Sequence, residues 1–115
     1  MTVIRSDDGR LPGEVAKEIG ALVSQLQAVG WTVSFAQYDP KMFGGWYVDL
    51  GRADQTIRLT KDRSQYMLSG PSIKELQAAG LWKAFDDLDE FCRAAIHWAT
   101  ERIQSIRENS AFGAR

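Results

Sequence analysis

Apolar and polar positions change period several times along the chain, and each change marks an element. Val15, Ile19, Leu22, Val23 and Leu26 recur at three- and four-residue spacings, which puts them on one face of a helix over 12–29. Pro12 suits its first turn, and Gly30 suits the left-handed residue that closes it. Glu14, Lys17, Glu18 and Gln25 fall elsewhere on its surface. The period then drops to two. Trp31, Val33 and Phe35 alternate with Thr32, Ser34 and Ala36, as in a half-buried strand that ends at Asp39-Pro40. From Gly44 to Gly70 three more alternating runs follow, with Trp46, Val48 and Leu50 on one face of the first. Ile57 and Leu59 share a face of the second, and Tyr66 and Leu68 a face of the third. Arg52-Ala53-Asp54 and Lys61-Asp62-Arg63-Ser64 supply the hairpin turns. Tyr47, Asp49, Thr56, Arg58, Thr60, Gln65 and Met67 then fall on the opposite face, joined by Ser34 and Tyr38 from the first strand.

Helical spacing returns after Gly70-Pro71. Ser72 and Glu75 have the spacing of a capping box, opening a short helix that runs to about Ala79 and stops at Gly80. Leu81, Trp82 and Phe85 anchor the following connection to the core. Asp87 and Glu90 repeat the capping spacing at the start of the last helix, where carboxylates favour the positive end of the helix dipole. Leu88, Phe91, Cys92, Ala95, Ile96, Trp98, Ala99, Ile103 and Ile106 fall within a stripe roughly 160° wide, enough to lie on a sheet. The pattern predicts a single α+β domain over 1–115. It has a four-stranded antiparallel meander with an N-terminal helix, a short helix and a long C-terminal helix on one face. Residues 1–10 read as an arm or a frayed end, and 109–115 carry no periodicity.

Composition narrows the functional classes. Hydrophobic residues make up 44% and charged residues 25%, which is globular usage. Fourteen basic against fifteen acidic residues lack the electrostatic footprint of a dedicated nucleic-acid binder. The helix–strands–helix order invites comparison with double-stranded-RNA-binding domains. Those begin their final helix with phosphate-gripping lysines, where this chain has Asp86-Asp87-Leu88-Asp89-Glu90. No apolar run is long enough for a secretion signal or a bilayer span, and a lone cysteine fits a reducing compartment, so a cytoplasmic protein with no membrane partner is expected.

Little in the chain reads as reactive chemistry. His97, the only histidine, lies opposite Leu88 and Ile106 and reads as a solvated surface residue. Cys92 falls near the centre of the apolar stripe and reads as a buried, inert thiol. No His or Cys partner completes a metal site or a nucleophile–base pair, and the glycines do not precede a helix as a phosphate loop requires, so neither metal nor cofactor is expected. All four tryptophans read as core. Arg52, Arg58, Lys61 and Arg63 cluster in the second hairpin, either as a charged edge that discourages aggregation or as a surface for an acidic partner.

The run Gly44-Gly45-Trp46-Tyr47-Val48-Asp49-Leu50-Gly51, the Ile57-Arg58-Leu59 strand and the closing Phe85-Asp86-Asp87-Leu88-Asp89-Glu90-Phe91 segment leading to His97-Trp98 resemble the small immunity proteins of bacterial contact-dependent inhibition and other polymorphic toxin systems. The resemblance implies a non-enzymatic inhibitor that binds a cognate toxin domain and blocks its active site or substrate access; a monomer or weak homodimer is expected. Tyr38, Tyr47, Arg58 and Met67 are residue types enriched at protein interfaces, and with Asp49 beside them and Met42 and Phe43 in the neighbouring loop they are the partner-binding candidates. Two other classes stay open. One is a secretion chaperone that captures an effector, although type III chaperones carry strands after their second helix and this chain shows none there. The other is a small enzyme built on Asp49 and Arg58.

Overall fold

The computed structural model describes residues 4–6, 10–41, 45–70 and 72–113, with the side chains of Ser6 and of 102–113 outside the description. In chain order the elements are β1 (Ile4–Ser6), α1 (Gly13–Ala28), β2 (Thr32–Asp39), β3 (Gly45–Arg52), β4 (Gln55–Asp62), β5 (Gln65–Ser69), α2 (Ile73–Ala78) and α3 (Leu88–Gly113). The sheet is antiparallel and has five strands in the order β1-β2-β3-β4-β5. Four strands were expected. The fifth is β1, where Ile4, Arg5 and Ser6 pair with Tyr38, Gln37 and Ala36. Three residues are too few to show an alternation, so the strand is invisible to periodicity and is formed by the free edge of β2.

Helix ends form where the sequence places them. The Pro12 carbonyl accepts the Ala16 N–H, and α1 closes with Gly30 N–H on Gln27 O and Trp31 N–H on Leu26 O, Gly30 lying at φ +105°. The short α2 repeats this closure with Gly80 at φ +75°, Gly80 N–H on Gln77 O and Leu81 N–H on Leu76 O. In both cases the residue after the glycine, Trp31 or Leu81, is buried, which completes the Schellman arrangement with its apolar contact. Ser72 Oγ and Asp87 Oδ2 accept the N–H groups of Glu75 and Glu90 and cap α2 and α3.

One cluster forms the core. The inner sheet face contributes Val33, Ala36, Trp46, Val48, Leu50, Ile57, Leu59, Tyr66 and Leu68. The helices bring Val15, Ile19, Leu22, Val23, Leu26, Leu76, Phe91, Ala95, Trp98 and Ala99 against it. Phe35, Tyr47 and Met67 stay outside this cluster, so the helices cover one face of the sheet. Trp31 is 1% exposed, and its indole N–H has no acceptor among the described residues. Cys92 and Leu88 lie at the margin of the α3 stripe, whose centre is Phe91, Ala95 and Ala99. Cys92 is therefore half-buried rather than central. Ile103 and Ile106 fall outside the described side chains. Leu81 and Phe85 anchor the connection before α3, whereas Trp82, expected in the core, is 36% exposed.

The two sheet edges differ. Beside β5, Tyr66 and Phe85 exchange both backbone hydrogen bonds at 2.8 and 2.7 Å, so the connection before α3 occupies that edge. The other edge is β1.

A bulge in β2 decides which side chains face outward. Val33 pairs with Leu50 and Phe35 with Asp49, leaving Ser34 as the extra residue, its Oγ donating to the Asp49 carbonyl at 3.2 Å. The extra residue reverses the alternation from that point. Phe35, expected to face inward, lies opposite outward-facing Asp49, and fully buried Ala36 takes the inner position opposite Val48. Tyr38, expected on the outer face, pairs instead with buried Trp46 and lies partly buried against the core.

Candidate functional site

Two polar arrays cross the sheet, one on each face. On the inner face the register lines up Tyr38, Trp46, Lys61 and Tyr66 on four successive strands. Glu18 of α1, expected on the free surface, reaches down onto this row. Its Oε1 accepts the Trp46 indole N–H at 3.2 Å and the Lys61 ammonium at 2.7 Å, and its Oε2 accepts the Tyr66 hydroxyl at 2.7 Å. Burial alone would raise the Glu18 pKa. Hydrogen bonds from Lys61, Tyr66 and Trp46 with the Lys61 charge outweigh it and hold the carboxyl below its usual value. Burial and the Glu18 acceptor push the Tyr66 hydroxyl far above its ordinary range. Lys61 is thus a strand residue turned toward the helices, not part of the hairpin turn, which consists of Arg63 and Ser64 at φ +54° and +74°. Next to Glu18, Ile19 leaves helical geometry at φ −125° and ψ 15°, so α1 bends where it is pinned. This array joins α1 to three strands and serves the fold.

The outer face carries the second array. Asp49 and Arg58 are directly opposed on β3 and β4, and the guanidinium grips the carboxylate with Nε on Oδ1 at 2.6 Å and Nη2 on Oδ2 at 3.0 Å. The same guanidinium lies 4.1 Å from the centre of the Tyr47 ring. Phe35 meets Tyr47 from the other side, ring centres 5.8 Å apart. The Tyr47 hydroxyl and Arg5 Nε both donate to Gln37 Oε1, at 3.4 and 3.1 Å. The array therefore runs without a break from Arg5 on β1 to Arg58 on β4. The hydrogen bonds to Asp49 raise the Arg58 pKa further above its already high value. Arg58 remains 48% exposed while Asp49 is 18% exposed, so the cation presents itself to solvent with its counter-ion beneath it.

Of the expected partner-binding residues, the structure brings Tyr47, Asp49 and Arg58 into one contact group. Met67 shares the outer face one strand further, paired with Thr60. Tyr38 is removed to the inner face by the bulge, and Met42 and Phe43 lie outside the described residues. Phe35 and Gln37 are the members that sequence reading missed. The sequence carries no signal for them, because Val33-Ser34-Phe35 alternates straight through the bulge. The expected cluster of Arg52, Arg58, Lys61 and Arg63 is dispersed, since Lys61 points to Glu18 on the inner face and Arg58 to Asp49 on the outer.

Other features carry less chemistry. His97 is exposed, its Nε2 3.2 Å from the carboxylate of Glu101 on the same helix. A cleft of about 220 Å³ between α1 and α3 is lined by Leu22, Leu88, Cys92 and Ile96. Burial, with the carboxylates of Asp89 and Asp87, raises the Cys92 thiol pKa and disfavours the nucleophilic thiolate. Among the described residues, no group of three or more His, Cys, Asp and Glu side chains could hold a metal ion, and no helix is long and apolar enough to cross a membrane.

The architecture defines a small α+β protein in which three helices cover one face of a five-stranded antiparallel sheet. No protein-family model, curated protein or solved structure matches the chain.

Proposed function

We propose that the protein is a non-enzymatic protein-binding module, an immunity protein that binds and neutralises a cognate bacterial toxin domain through the outer face of its sheet. The observation that carries this reading is the Phe35–Tyr47–Arg58–Asp49 array. Tyrosine and arginine dominate binding energy at interfaces when they are held rigidly, because little side-chain entropy is then lost on association. Here the tyrosine is fixed by a stacked guanidinium, a neighbouring ring and a hydrogen bond to Gln37. Asp49 already neutralises Arg58, so covering the pair does not strand a lone charge. An enzymatic role for the same two residues is less natural, because each is occupied by the other.

The test is co-expression with the products of the genes that flank the chain's own. Growth is expected to be restored, with a 1:1 complex on size-exclusion chromatography. Tyr47→Ala is expected to weaken that complex about thirtyfold, the scale of an interface hot spot near 2 kcal/mol, while costing the free protein only about 1–2 kcal/mol, so that it stays folded at the assay temperature. A folded wild-type protein that neither binds nor protects sinks the immunity reading.

A further inference from the structure

Charge on the outer face is distributed unevenly. Two residues along the strands from the Tyr47 row, about 7 Å away, the outward positions are Asp39 and Gly45, which pair with each other, and Asp62, which pairs with Gln65. Gln65 Nε2 donates to Asp86 Oδ1 at 2.9 Å, so carboxylates recur across this margin of the sheet. Gly45 contributes no side chain, and the space above it is a cleft of about 260 Å³ whose walls include Asp39, Asp62, Gln37, Tyr47 and Thr60.

Two of the nearby cations, including Lys61 in the cleft wall, are held by other carboxylates. Lys61 is bound to Glu18 beneath the sheet, and Arg58 is bound to Asp49. Asp39 accepts the backbone N–H of Lys41, and neither Asp39 nor Asp62 has an ion-pair partner among the described residues. A phosphate backbone would be repelled here. An alkyl-ammonium or guanidinium group fits, because the carboxylates can pair its charge while the Tyr47 ring lies against its stem.

We propose that the outer face docks a basic protein segment, one lysine or arginine of which enters the cleft between Asp39 and Asp62 while an adjoining apolar side chain lies on Phe35 and Tyr47. The inference rests on the protein-binding reading of this face and adds the chemistry of what it binds. The complement of an acidic margin about 7 Å from an aromatic patch is a cation next to an apolar residue at a similar spacing.

Two measurements test it. In the first, the ¹⁵N-labelled protein is titrated with the heptapeptide Lys-Ser-Leu-Ser-Lys-Ser-Leu, which puts lysine and leucine on one face of an extended segment, its counterpart with glutamate for lysine, and a 15-mer of oligothymidylate. The lysine peptide is expected to shift the Gly45, Tyr47, Thr60 and Asp62 amides saturably, while the other two leave them in place. The double variant Asp39→Asn/Asp62→Asn is expected to bind the lysine peptide at least fivefold more weakly with an unchanged melting curve. Equal binding by that variant, shifts mapping elsewhere, or preferential binding of the oligonucleotide overturns the inference. In the second, the products of the flanking genes are offered to wild type and to the double variant. Equal, tight binding by both leaves the protein-binding reading standing and removes the basic-segment inference. No binding of those products, with the lysine peptide still saturating the cleft, removes the immunity reading and upholds the inference.

Discussion

Glu18 shows how much one side chain can organise. Its two oxygens take donors from β3, β4 and β5, so a single carboxylate ties α1 across three strands. Replacing it by Gln keeps the shape but turns one oxygen into a donor and leaves the partly buried Lys61 ammonium without its counter-charge. Glu18→Gln is expected to cost about 2 kcal/mol in urea denaturation near pH 7. The folded pKa is depressed, so this stabilisation is present above the ordinary glutamate pKa of 4.5 and is lost as pH falls through the lower folded value. The gap between wild type and Glu18→Gln should accordingly close in acid and stay open at neutral pH. Cys92 has the opposite displacement, with a thiol pKa raised by burial and by Asp89 and Asp87. Its alkylation by iodoacetamide should be slow at pH 7.5, accelerate only above pH 9, and become fast at pH 7.5 once the protein is unfolded. A rate in the folded protein equal to that in urea would contradict this environment.

At the scale of the element, the bulge at Ser34 and the two hairpin turns give the sharpest tests. If Phe35 were core, as strict alternation from Trp31 implies, Phe35→Ala would cost about 3–5 kcal/mol. On the outer face it loses little more than its pairing with Tyr47, and about 1 kcal/mol is expected in chemical denaturation. Ser64 occupies φ +74°, a region that disfavours any residue with a Cβ. Ser64→Gly should therefore raise stability by about 0.5–1 kcal/mol, the relief of strain being partly offset by the greater freedom of glycine when unfolded. The reverse change at a comparable angle, Gly30→Ala at φ +105°, should destabilise by at least about 1 kcal/mol, since its Cβ would also fall 2.8 Å from Arg52 Nε. Thermal melts of the two variants should move in opposite directions. These elements also show what the sequence makes legible. Helices were readable because Gly30, Gly80, Ser72 and Asp87 mark their ends with specific backbone chemistry. The hairpins were readable from their turn residues. A one-residue bulge leaves no such mark, since Val33-Ser34-Phe35-Ala36 alternates acceptably in either register, and only pairing with Leu50 and Asp49 settles it. Half of the candidate array was consequently visible. Tyr47, Asp49 and Arg58 sit on strands that alternate cleanly, whereas Phe35 and Gln37 lie beyond the bulge.

Over the whole molecule, sheet and helices share one hydrophobic cluster, and aromatic rings link its parts. Tyr66 on β5 stacks on Phe91 of α3 at 5.6 Å, Phe91 meets Phe85 of the connection at 5.7 Å, and Trp46 of β3 lies 6.2 Å from Tyr66. With no second core among the described residues to hold either layer, loss of this node should be felt everywhere. Phe91→Ala is expected to cost about 3–5 kcal/mol and to leave a single cooperative transition, with helical circular dichroism and tryptophan fluorescence melting at the same temperature. Separate midpoints for the two signals would show that the layers hold independently.

The unequal edges of the sheet have a consequence for self-association. A fibre needs two open strand edges on every copy, one to receive and one to offer. In this chain the Phe85 segment blocks the β5 side at Tyr66 through its exchange of hydrogen bonds, while among the described residues no strand pairs with the outer edge of β1. Two copies that met β1 to β1 would exhaust each other's open edges, so pairing along this route ends at two. The connection before α3 thereby acts as a chain terminator for sheet growth, and cutting or displacing it would remove that stop.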